Sequence, residues 1–381
     1  MSEEKQSIDS ETLRRWLSEG RKVTVLDIRK PSDRAEWFIP GSIHVDAYDA
    51  LKANDPNALA HVDLPGGIPV VTVCGMGKTS SVAAQQLTTR GIDAFTLEGG
   101  MTAWSTAWNT ADILVAKVVY VIQLRRTGKG CLSYLIGSGR EAVVLDASLE
   151  PYVYRELAAK RGWRITRVAE THVHADHLSR SRRLAEMTAA ELYLPEQDRV
   201  TFRFIAIRDG DFIPVGATGL KALRTPGHSL ESTCYLLEGQ ATPEARLFEG
   251  QLLFTGDTLF LRGVGRPDLG ADQSGARKRA TMLYKSLQRL LSLQPSTLIL
   301  PGHHSEPIAF DGVPLASTLY ELRAQLPILS ESESAFVEQI LSRIPPTPPN
   351  YLKIAQLNEV GTMPEGDPND LESGANRCAV S

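Results

Sequence analysis

A chain of 381 residues with 42% hydrophobic content is long enough for two or three domains and too apolar to be a disordered protein. Its 41 basic and 45 acidic residues leave a net charge of −4. That excludes the strong positive field of a polyanion binder, and with no Lys/Arg run interleaved with aromatics nucleic acid is not an expected partner. No stretch approaches the ~18–20 consecutive apolar residues of a membrane helix, so no membrane partner is expected either. The start, Met1 to Gln6, is polar and has no apolar signal core. Four scattered cysteines (Cys74, Cys131, Cys234, Cys378) suit reduced thiols better than a disulfide framework. A cytoplasmic protein is expected, with homo-oligomerisation left open.

The first predicted element is a short helix from Ser10 to Leu17, with Asp9 or Ser10 as its cap and Gly20 past its end. Strands follow at Lys22–Asp27 and Pro69–Val73. The second runs into Cys74-Gly75-Met76-Gly77-Lys78-Thr79-Ser80, and helical spacing resumes from Ser81 to Arg90. A cysteine between a strand and a helix N-terminus has its thiolate stabilised by backbone N–H groups and the positive end of the dipole. Lys78 adds a charge that could hold an anionic donor. The competing reading, a buried small hydrophobe, is the commonest fate of a cysteine.

Three further segments bear on that choice: Leu26-Asp27-Ile28-Arg29, Phe38-Ile39-Pro40-Gly41-Ser42-Ile43-His44 and Leu97-Glu98-Gly99-Gly100-Met101-Thr102-Ala103-Trp104. With the Cys74 loop they resemble, in family order, the signature segments of the rhodanese sulfurtransferases. The resemblance covers about Ser7 to Trp108. It implies that Cys74 carries a sulfane sulfur as a persulfide, cradled by Gly75, Met76, Gly77, Lys78, Thr79 and Ser80.

The join at Trp108–Asp112 has no flexible Gly/Ser linker, which predicts fixed or semi-rigid neighbours. Strands are predicted over Ile113–Leu124, Cys131–Ile136 and Ala142–Asp146. A helix over Ser148–Gly162 would bury Leu149, Tyr152, Leu157 and Ala158. A strand then leads to His172-Val173-His174-Ala175-Asp176-His177, with a helix beginning near Leu178. Alternation would point His172, His174 and Asp176 to one side. Later donors stand beside glycine at strand ends: His228 in Pro226-Gly227-His228, Asp257 in Thr255-Gly256-Asp257, and His303 in Pro301-Gly302-His303. One G-D or G-H turn is ordinary; this series after H-x-H-x-D-H is a metal constellation.

The constellation resembles the metallo-β-lactamase superfamily over about Ile113 to Val360. It implies an αββα sandwich behind the N-terminal rhodanese-like α/β domain, an α/β chain overall. The expected division is 1–110 for the rhodanese-like domain, 111–362 for the metallo-β-lactamase-fold domain, and a disordered Gly-, Pro- and Asp/Asn-rich tail over 363–381, with Cys378 an incidental thiol. Two ligand sets fit. A dinuclear zinc hydrolase of the glyoxalase II type would use His172, His174, His228 and Asp257 at one Zn(II), and Asp176, His177, Asp257 and His303 at the other. A persulfide dioxygenase would hold one Fe(II) per chain on His172, His228 and Asp257, with His174, Asp176, His177 and His303 as outer partners.

The segment Phe254 to Asp268 resembles the dioxygenases, and Arg262 and Arg266 within it are candidate substrate contacts; Arg266 could instead pair with Asp268 to fix the loop. His304 and Ser305 stand where that family carries Asp and Tyr. The pairing of domains favours the dioxygenase. A rhodanese moves sulfane sulfur among thiosulfate, sulfite, small thiols and persulfides, and a dioxygenase oxidises the same persulfide with O₂. The alternatives are a thioester hydrolase with a fused rhodanese and a non-enzymatic sulfur carrier.

Overall fold

The computed structural model describes residues 6–116, 119–238 and 250–380. The first unit is a parallel sheet of β1 (Ser7–Ile8), β2 (Thr24–Asp27), β3 (Ile43–His44), β4 (Val70–Val73) and β5 (Ala94–Leu97), in the order β1-β5-β4-β2-β3. Every residue of β2 and β4 is buried, as strands covered on both faces require. The first helix is Ser10–Ser18, capped by Asp9, whose side chain accepts from Thr12 N at 2.7 Å. The helix after Cys74 spans Lys78–Thr89 and so begins before the Ser81 expected from hydrophobic spacing. Its first turn is polar, and spacing carries no signal there.

The second unit is a sandwich. One sheet runs β12-β11-β10-β9-β8-β7-β6 and contains β6 (Trp108–Ala116), β7 (Val119–Arg126), β8 (Leu132–Ser138), β9 (Glu141–Leu145), β10 (Arg164–Ala169), β11 (Glu191–Pro195) and β12 (Ile205–Ile207). The other contains β13 (Phe212–Val215), β14 (Thr218–Arg224), β15 (Thr233–Glu238), β16 (Gln251–Gly256), β19 (Leu298–Pro301) and β20 (Ser317–Thr318) in that order. Between the sheets lie Val121, Tyr134, Ile136, Val143, Tyr235, Phe254 and Leu300. Helices Pro151–Lys160 and Ser181–Thr188 cover the first sheet, and Gln273–Leu291 with Glu333–Ser342 covers the second. This is the expected αββα order. Within helix Pro151–Lys160, however, Tyr152 is exposed and Val153 and Tyr154 are buried, so its inner face is rotated from the predicted one. Among the described residues no helix is long and apolar enough to cross a membrane.

Two boundaries differ from expectation. The join at 110 falls inside β6, which pairs with β7 from Trp108↔Arg126 onward, so the link is itself a strand of the sandwich. The units also share packing: Phe310 sits against Trp104 with ring centroids 6.2 Å apart, and Arg126 donates to the Ser105 carbonyl at 2.9 Å.

The tail expected to be disordered is folded. It forms helix Asn369–Glu372 and strand β21 (Ala379–Val380), which pairs with β18 (Gly263–Gly265); β18 in turn pairs with β17 (Leu259–Phe260). Composition misled because the anchor is electrostatic rather than apolar. Glu372 is fully buried between Arg126, at 2.9 Å, and Arg180, and it accepts from Leu178 N at 2.7 Å.

Candidate metal centre and cysteine loop

All the predicted metal donors gather at one rim of the sandwich, just past the ends of β10, β14, β16 and β19. The His172–His177 segment follows β10 as an irregular loop rather than as continued strand. Its imidazoles and carboxylate therefore do not simply alternate. His172, His228 and Asp257 form one buried group whose donor atoms lie within 4.8 Å of one another. His172 Nε2 is 3.9 Å and His228 Nε2 is 3.6 Å from Asp257 Oδ2, a buried oxygen with no hydrogen-bond partner among the described residues.

Outer partners fix both tautomers. The His228 Nδ1–H donates to the Arg266 carbonyl at 2.9 Å, which leaves Nε2 with its lone pair. The Thr171 hydroxyl donates to Asp146 Oδ2 and so accepts from His172 Nδ1–H, both at 2.9 Å; His172 Nε2 is left free in the same way. Burial pushes both imidazoles below their ordinary pKa, with the neighbouring His174 adding to the effect at His172. Two neutral imidazoles and an unpaired carboxylate oxygen fit a divalent cation.

Of the three remaining imidazoles, carboxylates push His174 and His303 well above their ordinary pKa and His177 above it. His174 Nε2 is 3.1 Å from Asp146 Oδ1 and 2.9 Å from Glu170 Oε2. Burial opposes its charge, but the two carboxylates outweigh it and hold the pKa well above ordinary. His303 lies between Asp257, with Nδ1 2.5 Å from Oδ1, and Asp176, with Nε2 2.8 Å from Oδ2. Burial again works against the charge, and Asp176 and Asp257 overcome it.

Asp176, His177 and His303 also form a buried cluster with Cys131, whose donor atoms fall within 4.8 Å of one another. His177 Nδ1 is 3.1 Å from Asp176 Oδ1, and its Nε2 has no partner among the described residues. Burial and the Asp176 charge push the Cys131 thiol up, while His177 and Arg126 bring it down to about 6.

Sequence reasoning missed several of these groups. Asp146 and Glu170 directly follow strands β9 and β10, as Asp257 follows β16, but no neighbouring glycine marks them. Cys131 carries no local signal, and Cys378, expected to be incidental, is buried within 4.8 Å of donor atoms of Asp257 and His303. Of the two candidate substrate arginines, Arg266 is fully buried and bound to Asp268 and to the carbonyls of Pro345, Pro346 and Arg377. It fixes the loop and has no free face for a substrate. Arg262 is exposed, paired with Glu306, and stands at the rim beside His303 and His304.

In the first unit Cys74 is buried at the end of β4, and its Sγ accepts from Gly77 N at 3.1 Å and Ser80 N at 3.4 Å. Gly77, at φ +83°, turns the loop left-handed and caps the helix. Gly75, Met76 and Lys78 are exposed and Ser80 is buried, so the loop has an open side and a cradle side.

Residues 9–107 match the rhodanese-like domain family, and residues 126–241 match the metallo-beta-lactamase superfamily. The hydroxyacylglutathione hydrolase of Pseudomonas putida is 30% identical over 164 residues, covering 43% of this chain and 57% of its own length. That of Nitrosococcus oceani is 33% identical over 178 residues, covering 45% and 61%. The chain thus spans somewhat more than half the length of these curated relatives. ETHE1 from Myxococcus xanthus superposes with a TM-score of 0.52 at 30% identity, covering 66% of this chain and 100% of that one. A metallo-beta-lactamase from Staphylococcus aureus subsp. aureus COL gives a TM-score of 0.57 at 28% identity, covering 65% and 74%. The chain belongs to the metallo-β-lactamase superfamily, and it carries a rhodanese-like domain ahead of the metallo-β-lactamase unit.

Proposed function

We propose that the protein is a persulfide dioxygenase with a built-in sulfurtransferase. One observation carries the reading: His172 Nε2 and His228 Nε2, each left free by an outer hydrogen bond at Nδ1, face the unpaired Asp257 Oδ2, while Oδ1 of the same carboxylate is taken by His303. That is the donor set of a mononuclear 2-His-1-carboxylate site. Iron(II) in such a triad supplies open positions for O₂ and a thiolate-type ligand.

The overall reaction consumes one persulfide, one O₂ and one water. It gives one thiol and one sulfite with two protons; the sulfane sulfur is oxidised by four electrons and O₂ is reduced by the same four. The chain's own residues have distinct tasks. The Arg266 carbonyl and Thr171 hold His228 and His172 in the tautomer that faces Asp257. Buried walls exclude bulk water, and His303 holds protons between two carboxylates beside the site. Arg262 stands at the rim paired with Glu306, and would meet an anionic substrate group by exchanging that partner.

At Cys74 the thiolate would attack the outer sulfur of a donor such as thiosulfate. A new S–S bond forms to Cys74, the donor S–S bond breaks, and sulfite leaves with the electron pair. Amide N–H groups of Gly77 and Ser80 are in place to hold the negative sulfur.

A second reading is a dinuclear zinc thioesterase. The Cys131–Asp176–His177–His303 cluster and the relatives named hydroxyacylglutathione hydrolase favour it. Metal analysis of protein purified without added metal, paired with two assays, separates them. About one iron per chain with O₂ uptake on glutathione persulfide is expected. About two zinc per chain with thioester cleavage and no O₂ uptake would establish the hydrolase instead.

A further inference from the structure

The segment that carries Asp176 and His177 is neither strand nor helix. β10 ends at Ala169, and the next helix begins at Ser181 rather than near Leu178 as expected. A buried stretch without a ladder of its own has to send its backbone groups elsewhere. In a helix continued toward its N-terminus, the His174 carbonyl would accept from Leu178 N and the Ala175 carbonyl from Ser179 N. Here Leu178 N donates to Glu372 at 2.7 Å, and Ser179 N donates to Asn358 Oδ1 at 2.8 Å. The His174 carbonyl accepts from Asn358 Nδ2 at 2.8 Å, and the His177 carbonyl accepts from the same nitrogen at 2.9 Å.

Both ends of the Asn358 carboxamide therefore go to one loop. Only this orientation of the amide fits, because the two carbonyls accept and the Ser179 N–H donates. Asn358 is 9% exposed and lies in helix Tyr351–Val360. Other contacts dock that helix: Ile354 is buried beneath it, and the Glu359 carbonyl accepts from Thr201 N at 2.9 Å.

The clamp joins two carbonyls three residues apart, with Asp176 inside it and His177 at its end. Asp176 Oδ2 is 2.8 Å from His303 Nε2, and His303 Nδ1 is 2.5 Å from Asp257 Oδ1. The curve of the loop thus bears on where His303 stands and, through it, on Asp257.

We propose that Asn358 is a positioning residue of the metal centre. Its amide holds His174–Ser179 out of the following helix and in the curve that presents Asp176 and His177. The assignment rests on a metal being bound at this centre and is independent of which reaction follows.

The test reads the metal rather than turnover. Asn358→Asp is nearly isosteric but has no N–H to give, and it turns a buried carboxylate toward two carbonyl oxygens. Full-length protein loaded with zinc(II) would be challenged with excess EDTA while metal release is followed. We expect the variant to release zinc about 10–100-fold faster than the unmodified protein, the usual cost of losing an outer partner. Loaded with cobalt(II), it should show visible ligand-field bands displaced from those of the unmodified protein. Ile354→Val trims a methyl group beneath the same helix and leaves the amide in place; it should release zinc at the unmodified rate. Asn358→Ala removes the donors without adding charge and gives the same reading should the aspartate variant not fold. A folded Asn358 variant with unchanged release and an unchanged cobalt spectrum would overturn the proposal. So would release from Ile354→Val as fast as from the Asn358 variant, since the docking of the helix, not the amide, would then be responsible. Metal content and O₂ uptake of the unmodified protein report on the dioxygenase reading separately.

Discussion

His303 meets Asp257 through Nδ1 at 2.5 Å and thereby occupies the carboxylate oxygen, Oδ1, that a bridging ligand would need. The other oxygen, Oδ2, is the one turned toward His172 and His228. A single carboxylate is thus divided between a proton-holding partner and a metal-facing edge.

That division makes His303→Gln informative. Glutamine can donate to Asp257 but cannot be an imidazolium. We expect metal content close to that of the unmodified protein and activity reduced about 10–100-fold, the usual cost of losing an outer partner. Metal loss in proportion to activity loss, measured by elemental analysis, would put His303 among the ligands.

His228→Ala should behave in the opposite way. Three donors leave no redundancy, so the variant should bind little or no metal and show no O₂ uptake with a persulfide. Full metal retention in this variant would remove His228 from the site.

For the cysteine loop, Cys74→Ser should abolish sulfur transfer from thiosulfate and leave metal content unchanged. Mass spectrometry after donor treatment should find one added sulfur on the Cys74 peptide, not on those of Cys131 or Cys234. With thiosulfate, a thiol and O₂ supplied together, intact protein should consume O₂. The Cys74→Ser variant should not, yet should oxidise preformed persulfide normally.

Glu372 gives a pH-dependent prediction. Burial alone would raise its pKa, but Arg126 and Arg180 outweigh burial and hold the carboxyl at about 2, against an ordinary 4.5. A depressed acid contributes stability that is fully present above about pH 4.5 and lost as pH falls toward 2. The contribution is on the order of 3 kcal/mol. Glu372→Gln should therefore unfold at markedly lower denaturant concentration at pH 7, and its deficit should shrink as both proteins are taken from pH 4.5 to 3. A deficit that stays constant over that interval would show that the ion pairs are not its source.

How far the sequence was readable follows from what kind of force places each residue. Strand ends followed by Gly-His or Gly-Asp announce donors locally, so His228, Asp257 and His303 could be found one turn at a time, and His172 stands out through the H-x-H-x-D-H run it opens. The Cys74 loop is legible for the same reason, since strand, loop and helix are consecutive. Which imidazoles carboxylates hold is not local: His174 is held by Asp146 and Glu170, which reach it from the ends of two different strands. The segment after Met363 was misjudged because hydrophobic content cannot report a buried ion pair. The partners of Glu372 lie 246 and 192 positions away. Arg266 had an ambiguous reading for a similar reason: its pairing with Asp268 is a neighbour effect, but its burial depends on Pro345, Pro346 and Arg377.

The shared packing between the units has a practical side for anyone dissecting the protein. A fragment ending at 110 would sever β6 in its third residue and uncover Trp104, which Phe310 shields, along with the side of Trp37 that rests on Gly128. Two indoles presented to water on one small domain invite self-association. Such a fragment is expected to be poorly soluble for reasons unrelated to sulfur chemistry, and an inactive rhodanese-like fragment would be no evidence against Cys74. Point substitutions in the whole chain, rather than excised modules, are the sound way to assign work to either half.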